Sequence, residues 1–413
     1  MKKQIKEIAL NSTINYYGFL RKLQHSLDES RKEKPSVMLL PPTDSGSLGD
    51  QAMVHGTMQC LKMKGIDKFT LVAYDSVSDC QNFYSHEAVF KYQSKLDFVQ
   101  AACKHDIFFC LGADVMDGFY SEKRSILRTE LVSMASRLGL KSRVLGFSFN
   151  PNPSDKAVCA LSNLPSNVDL CARDPVSCER LHKHLKRPIT LVADLAFLLE
   201  PANSGSSSSL TETHEWLCSE KHNGHILIGI NANSKLLDNP KLKTVEELCR
   251  IYAEALKSVF HENNQKVSFV FISHDFREKE NRPSDFTFAD KIITYLPPQI
   301  RLHCLRISPP YSAGDVKSIC GKLDVVLTGR MHLAIESLGQ GTPPACITYQ
   351  GKFEGLFQHF DLSGMTIEPE KLTSSNQLTQ FLLPIIYRRN EIRTHINSQL
   401  QEVKRLAKLN LEV

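Results

Sequence analysis

"LTGRMHLAIESLGQGTPP", residues 327–344, reads as the end of a buried strand, a turn, a helix opening at Met331, and a glycine stop. Leu333, Ala334, Ile335 and Leu338 supply the apolar face that a crossover helix packs against a sheet, and Gly341 supplies its end. Packing therefore explains every residue of the stretch except two. Arg330 and His332 stand together where strand becomes helix, and a plain crossover helix needs neither.

The same alternation of strand and helix extends from about residue 36 onward. "SVMLLPP" is followed by a glycine loop, a helix near 51–64 and "FTLVAY". "DIFFCLGA", a helix near 124–138, "RVLGFSFN", "VDLCARD", a helix from Pro175 and the strand "ITLVADLAFLL" come next. After the polar break "PANSGSSSS" the pattern restarts with "HILIGINA", a helix near 244–262, "VSFVFIS", a helix near 284–295, "RLHCLRI", a helix near 313–320, "LDVVLTG" and "PACITY". Continuous Val, Ile, Leu and Phe runs separated by helices predict parallel sheets covered on both faces. The fold class expected is α/β, with two Rossmann-like doubly wound domains facing across a cleft. An N-terminal domain is expected over 1–200, a linker over 201–223 and a C-terminal domain over 224–370. Residues 371–413 form a helical tail, with Ile392, Ile396, Leu400, Val403 and Leu406 on one side of its last helix. That stripe predicts packing back on the N-terminal domain; its basic character makes peripheral membrane association the competing reading.

Composition narrows the function classes. A chain of 413 residues with 42% hydrophobic and 23% charged residues is an ordinary globular protein. A net charge of +5 suits small anions or an anionic membrane surface and is too weak to argue for nucleic acid, so no nucleic-acid partner is expected. The twelve cysteines include no C-x-x-C pair, and several sit in apolar runs, where a thiol behaves as a small hydrophobe. With no secretory signal, the expected location is the cytoplasm, extending to the inner face of the membrane. No metal site is expected.

Strand-terminal loops carry the polar candidates, because open parallel sheets bind ligands there. In "TDSGSLGDQA", Gly46 and Gly49 permit close backbone approach, Ser47 lies between them, and Asp50 is expected to cap a helix starting at Gln51. Asp174–Pro175 reads as a helix start, whereas Arg173 before it is either paired with a carboxylate or held for an anionic ligand. Asp194 within an apolar run needs a partner. His274 and Asp275 stand just beyond a strand, with Asp290 further on. Arg330, the free amides of the helix start and Lys352 in the next loop would make an anion seat with His332 beside it.

"GSLGDQA", "RDPVSCERL", "VADLAFLL" and "GRMHLAIESLGQGTPPACITYQGKFEGLF", in this order, resemble the motifs of the polysaccharide pyruvyl transferases. Ser47 stands where that family usually has asparagine, Ala113 and Asp114 interrupt its glycine triplet, and Leu195 replaces a common proline. The resemblance implies a GT-B-like fold, with pyruvate moved from phosphoenolpyruvate onto two hydroxyls of one sugar as a cyclic ketal. Phosphoenolpyruvate is then the donor and no cofactor is needed; a glycan or lipid-linked sugar is the acceptor. Arg330, Arg173 and Lys352 would bind the donor. His332 would be the general acid/base with Arg330 and Asp50 beside it, and Gly46, Ser47, Gly49, His274 and Asp275 would lie toward the acceptor. The rival readings are a GT-B glycosyltransferase using a nucleotide sugar and a non-enzymatic glycan-binding protein.

Overall fold

The computed structural model describes residues 2–27, 34–84, 87–203, 208–233, 236–237, 244–277, 283–348, 353–372 and 374–412. The chain divides into two compact units. One comprises Met1–Ser45, Met53–Leu198 and Arg405–Val413; the other comprises Gly46–Ala52 and Leu199–Lys404.

The first unit is built on seven parallel strands: Ser36–Leu40 (β1), Lys68–Ala73 (β2), Ala88–Lys91 (β3), Ile107–Ala113 (β4), Lys141–Phe147 (β5), Asp169–Ala172 (β6) and Thr190–Leu191 (β7). Their order, β3-β2-β1-β4-β5-β6-β7, is that of a doubly wound sheet. Every residue of β4 is buried, as expected of a central strand with helices on both faces. Phe108, Phe147, Leu131 and Leu140 share its core, and each such side chain contributes about 1.5–3 kcal/mol when fully buried.

"VADLAFLL" departs from the expected strand. Only β7 is extended, and Leu195–Leu198 forms a 3-10 turn. Asp194 causes the change: its Oδ1 accepts from the Ala196 amide at 2.9 Å, a local bond that competes with strand pairing.

Six parallel strands form the second unit's sheet: Ile226–Ile230 (β8), Val267–Phe271 (β9), Cys304–Arg306 (β10), Val325–Thr328 (β11), Pro344–Ile347 (β12) and Thr366–Ile367 (β13). Their order is β10-β9-β8-β11-β12-β13, so the winding reverses between β8 and β11. The carboxyl ends of those two strands flank the place where ligands enter such sheets.

Segment 201–223, expected as a linker, carries the helix Ser208–His222. Leu210, Thr213, His214 and Leu217 are buried along it at helical spacing; residues 204–207 lie outside the described residues. The C-terminal helix Arg389–Leu409 also departs in part from expectation. Ile392, Ile396 and Val403 are buried, yet the helix counts with the second unit as far as Lys404. Residues 405–413 belong to the first unit. There Asn410 Oδ1 accepts from the Gly146 amide at 2.7 Å, and its Nδ2 donates to Ala193 O at 3.0 Å.

Candidate active site

Three strand ends of the second sheet supply the polar groups. After β11, Arg330 takes an extended conformation and becomes the N-cap of the helix Met331–Leu338. The Arg330 side chain makes no capping bond to that helix, whose first turn carries the positive end of the helix dipole. The Arg330 amide donates to Thr328 Oγ1 at 2.8 Å, and Thr328 Oγ1 donates to Asn231 Oδ1, just beyond β8, at 3.1 Å.

The Arg330 guanidinium is held on two carboxylates. Nη2 and Nε donate to Asp285 at 2.6 and 3.2 Å, and Nη1 donates to Asp275 Oδ2 at 3.3 Å. Asp285, fully buried, also accepts from Asn231 Nδ2 at 2.9 Å and from the His274 amide at 3.1 Å. Asp275 receives a second guanidinium, with Arg277 Nε and Nη2 at 2.8 and 2.7 Å. Burial alone would raise the Asp275 carboxyl. The hydrogen bonds from Arg277 and the charge of Arg330 outweigh it and hold the group below the ordinary carboxylate range.

Residues 46–52 join this cluster. Ser47 pairs with Asp275 as an antiparallel bridge. The Leu48 amide donates to His274 O at 3.1 Å, and the Phe276 amide donates to Gly46 O at 3.2 Å. Gln51 Oε1 accepts from the Ala313 amide at 2.8 Å. Gly46, at φ +87, takes a conformation that favours glycine, and Gly49 lies against the His332 ring. A Cβ on Gly49 would fall 2.3 Å from His332 Nδ1. Gly49→Ala must therefore move the imidazole. It is expected to lower turnover at least about tenfold, since a misplacement of about 1 Å can cost up to 10²-fold. Steady-state kinetics beside a thermal melt check this; unchanged kcat would mean that the ring position is immaterial.

On the other side of His274, Nε2 lies 3.3 Å from Glu336 Oε2. Glu336 is fully buried and stands one turn beyond His332 on the same helix. Lys317, also fully buried, lies close enough to feel that carboxylate. Burial and the charge of Lys404 push its ammonium down to about 8, with Glu336 and Glu200 opposing.

The second unit thus brings together Gly46, Ser47, Gly49, His274, Asp275, Arg330 and His332. Asp50 is in the same segment, but its capping role is corrected. The helix starts at Leu48, and Ser47 Oγ accepts from the Asp50 amide at 3.4 Å, so serine is the cap. Arg173 belongs to the first unit and resolves to the paired alternative. Its guanidinium is buried against Asp194 at 3.0 Å and Ser148 Oγ at 2.7 Å, because a charge at that depth needs a carboxylate. Asp174 caps the helix Pro175–His184 as expected. Asp290 pairs with Arg306 on the outer side of its helix. Lys352 lies outside the described residues.

Asp285, Arg277 and Glu336 were not among the expected site residues. Asp285 follows Ser284 at a helix start and reads there as an ordinary first-turn acid. Glu336 did carry a signal, a lone charge inside the apolar run "LAIESL".

Comparison with known proteins is decided by sequence. A family model described as polysaccharide pyruvyl transferase matches residues 48–351, a span that includes Gly49, Asp50, His274, Asp275, Arg330 and His332. The chain belongs to the polysaccharide pyruvyl transferase family. No curated protein matches it in sequence.

Solved structures extend the likeness of this pyruvyl transferase family member at the level of fold. A putative UDP-N-acetylglucosamine 2-epimerase from Listeria monocytogenes is similar, with a TM-score of 0.55, 14% identity, and coverage of 88% of this chain and 91% of that one. The UDP co-structure of MnaA from S. aureus gives 0.56 at 11% identity, covering 88% and 91%. A glycosyltransferase from Rickettsia africae gives 0.54 at 11%, covering 92% and 99%. At such identities the likeness shows fold alone. It is the GT-B-like α/β class expected from the sequence. Among the described residues no helix is long and apolar enough to cross a membrane.

Proposed function

We propose that this family member transfers pyruvate from phosphoenolpyruvate to two hydroxyls of one sugar in a glycan or lipid-linked precursor, forming a cyclic ketal. The observation that carries the proposal is the packing of His332 against the Gly49 backbone at the start of the helix that Arg330 opens.

Phosphoenolpyruvate brings a phosphate and a carboxylate. In this reading the helix start takes one anion. Arg330 defines the edge of the seat: with two carboxylates already on it, it positions rather than offering uncompensated charge. Half-exposed Arg277 and Lys352 are assigned the second anion.

His332 is assigned the proton transfers, a role suited to imidazole near neutral pH. The donor's methylene carbon takes a proton from the His332 imidazolium and becomes a methyl group, while the first sugar oxygen bonds to C2 and gives its own proton back to the imidazole. The C2–O bond to phosphate then breaks, the second sugar oxygen bonds to C2, and its proton leaves with inorganic phosphate. His274, oriented by Glu336, and Asp50 are assigned to the acceptor hydroxyls.

The test is incubation with phosphoenolpyruvate and a panel of aryl or lipid-linked sugars, followed by mass spectrometry and phosphate assay. One pyruvyl ketal per phosphate released is the expected result. Sugar transfer from a nucleotide sugar, with phosphoenolpyruvate untouched, would overturn the reading in favour of a glycosyltransferase.

A further inference from the structure

A second polar cluster lies in the second unit at the opposite ends of the strands. Glu220 stands in the last turn of the helix Ser208–His222. His225 immediately precedes β8, His303 immediately precedes β10, and Ser268 is the second residue of β9. His225, Ser268 and His303 sit at the amino ends of strands and Glu220 at the end of the helix that leads into β8, whereas Asn231, His274 and Arg330 follow carboxyl ends. The cluster therefore owes nothing to the proposed chemistry.

One oxygen, Glu220 Oε2, faces His225 Nδ1 at 3.1 Å and His303 Nδ1 at 3.2 Å, and also accepts from Ser268 Oγ. His225 Nδ1 also bonds Ser268 Oγ at 2.8 Å, so two imidazole nitrogens, a hydroxyl and a carboxylate oxygen form one close-set group. Both imidazoles turn the same nitrogen inward. The three ligand atoms of Glu220, His225 and His303 all lie within 4.8 Å of one another. Two ligands at about 2.0–2.1 Å from zinc and a tetrahedral angle apart are separated by about 3.3 Å. Two sides of the triangle already have that length.

We propose that Glu220, His225 and His303 bind a divalent transition-metal ion, zinc by preference, as a structural site tying the helix Ser208–His222 to the amino ends of β8 and β10. Imidazole and carboxylate ligands suit zinc, and three protein ligands leave a fourth position for water. Binding requires neutral imidazoles. The rings are held in place: the two imidazole centroids are 4.8 Å apart, and His303 lies 5.8 Å from the Phe260 ring. His303 is about one-third exposed, with a side-chain exposure of 32%, which opens a path for the ion. With the ion bound, each imidazole carries its proton on Nε2 and turns its Nδ1 lone pair to the metal.

The experiment uses the full chain, stripped with chelator and titrated with zinc chloride. Bound metal is measured by mass spectrometry and stability by thermal melting. One equivalent should bind, with a rise in Tm that depends on zinc concentration as ligand linkage requires. Glu220→Gln keeps the hydrogen-bonding shape and His303→Ala alters a partly exposed position, so both variants should fold. Each is expected to weaken zinc binding by more than the roughly 10–100-fold that follows loss of an outer-shell partner. Their zinc-dependent Tm rise should disappear. Absence of zinc binding in the parent chain, or equal binding in parent and both variants, would overturn the site and leave a hydrogen-bonded cluster only.

Discussion

Replacing His332 with alanine is expected to reduce ketal formation about 10²–10⁴-fold, the range over which a positioned acid/base contributes. The argument rests on placement. His332 is in the first turn of the helix that Arg330 opens, half-buried, with its ring on the Gly49 backbone. Removing the ring leaves the apolar face of that helix intact, since Leu333, Ala334, Ile335 and Leu338 do the packing. The variant should therefore melt within a few degrees of the parent and still gain thermal stability from phosphoenolpyruvate. The loss should fall on kcat rather than KM, because the helix amides proposed to seat the donor remain. Near-parental turnover would remove His332 from the chemistry and move attention to His274.

The largest stability effect is expected at Asp285. Its carboxylate, fully buried, accepts two bonds from Arg330, one from Asn231 and one from the His274 amide. Asp285→Ala removes the oxygens that accept these four bonds and takes from Arg330, of 14% side-chain exposure, its shortest carboxylate contact, leaving the longer one to Asp275. Breaking a buried ion pair in this way costs about 3–5 kcal/mol. At about 2–4 °C per kcal/mol for a unit of this size, Tm should fall by about 6–20 °C. Asp285→Asn keeps the shape and two lone pairs and should lose less. A melt of Asp285→Ala superimposable on the parent's would show that Arg330 finds its support elsewhere, and Arg330 would then lose its role as the anchor of the helix start.

Much of the fold was legible because strand periodicity and helix punctuation agree almost everywhere. Helices Val245–Glu262, Asp285–Tyr295 and Ala313–Cys320 lie where apolar spacing and capping residues place them. Failures occurred where local polar bonds overrode an apolar run, as at Asp194, and where a serine-rich stretch concealed the buried stripe Leu210, Thr213, His214 and Leu217. At the site, Arg330 and His332 could be read because packing had no use for them. Asp285 could not, since a first-turn acid has an ordinary explanation and its partnership with Arg330 depends on pairing across 45 residues. Arg173 shows the reverse limit: the sequence offered two fates, and only burial beside Asp194 chooses between them.

The placement of residues 46–52 has a consequence for how the protein is made. Gln51 is bonded to the amide of Ala313, 262 residues further along the chain, and Gly49 awaits a histidine later still. At roughly 5–20 residues per second of synthesis, the segment leaves the ribosome about 13–50 s before the groups that receive it. Such long-range closure is slow to form and costly in chain entropy. The His332 pocket is therefore among the last features to assemble. A chain interrupted before residue 332 has the loop but no histidine, and a fragment starting after residue 52 has the histidine with nothing beneath it. Catalysis should thus appear all at once with the finished polypeptide, which makes turnover a stringent reporter of complete folding.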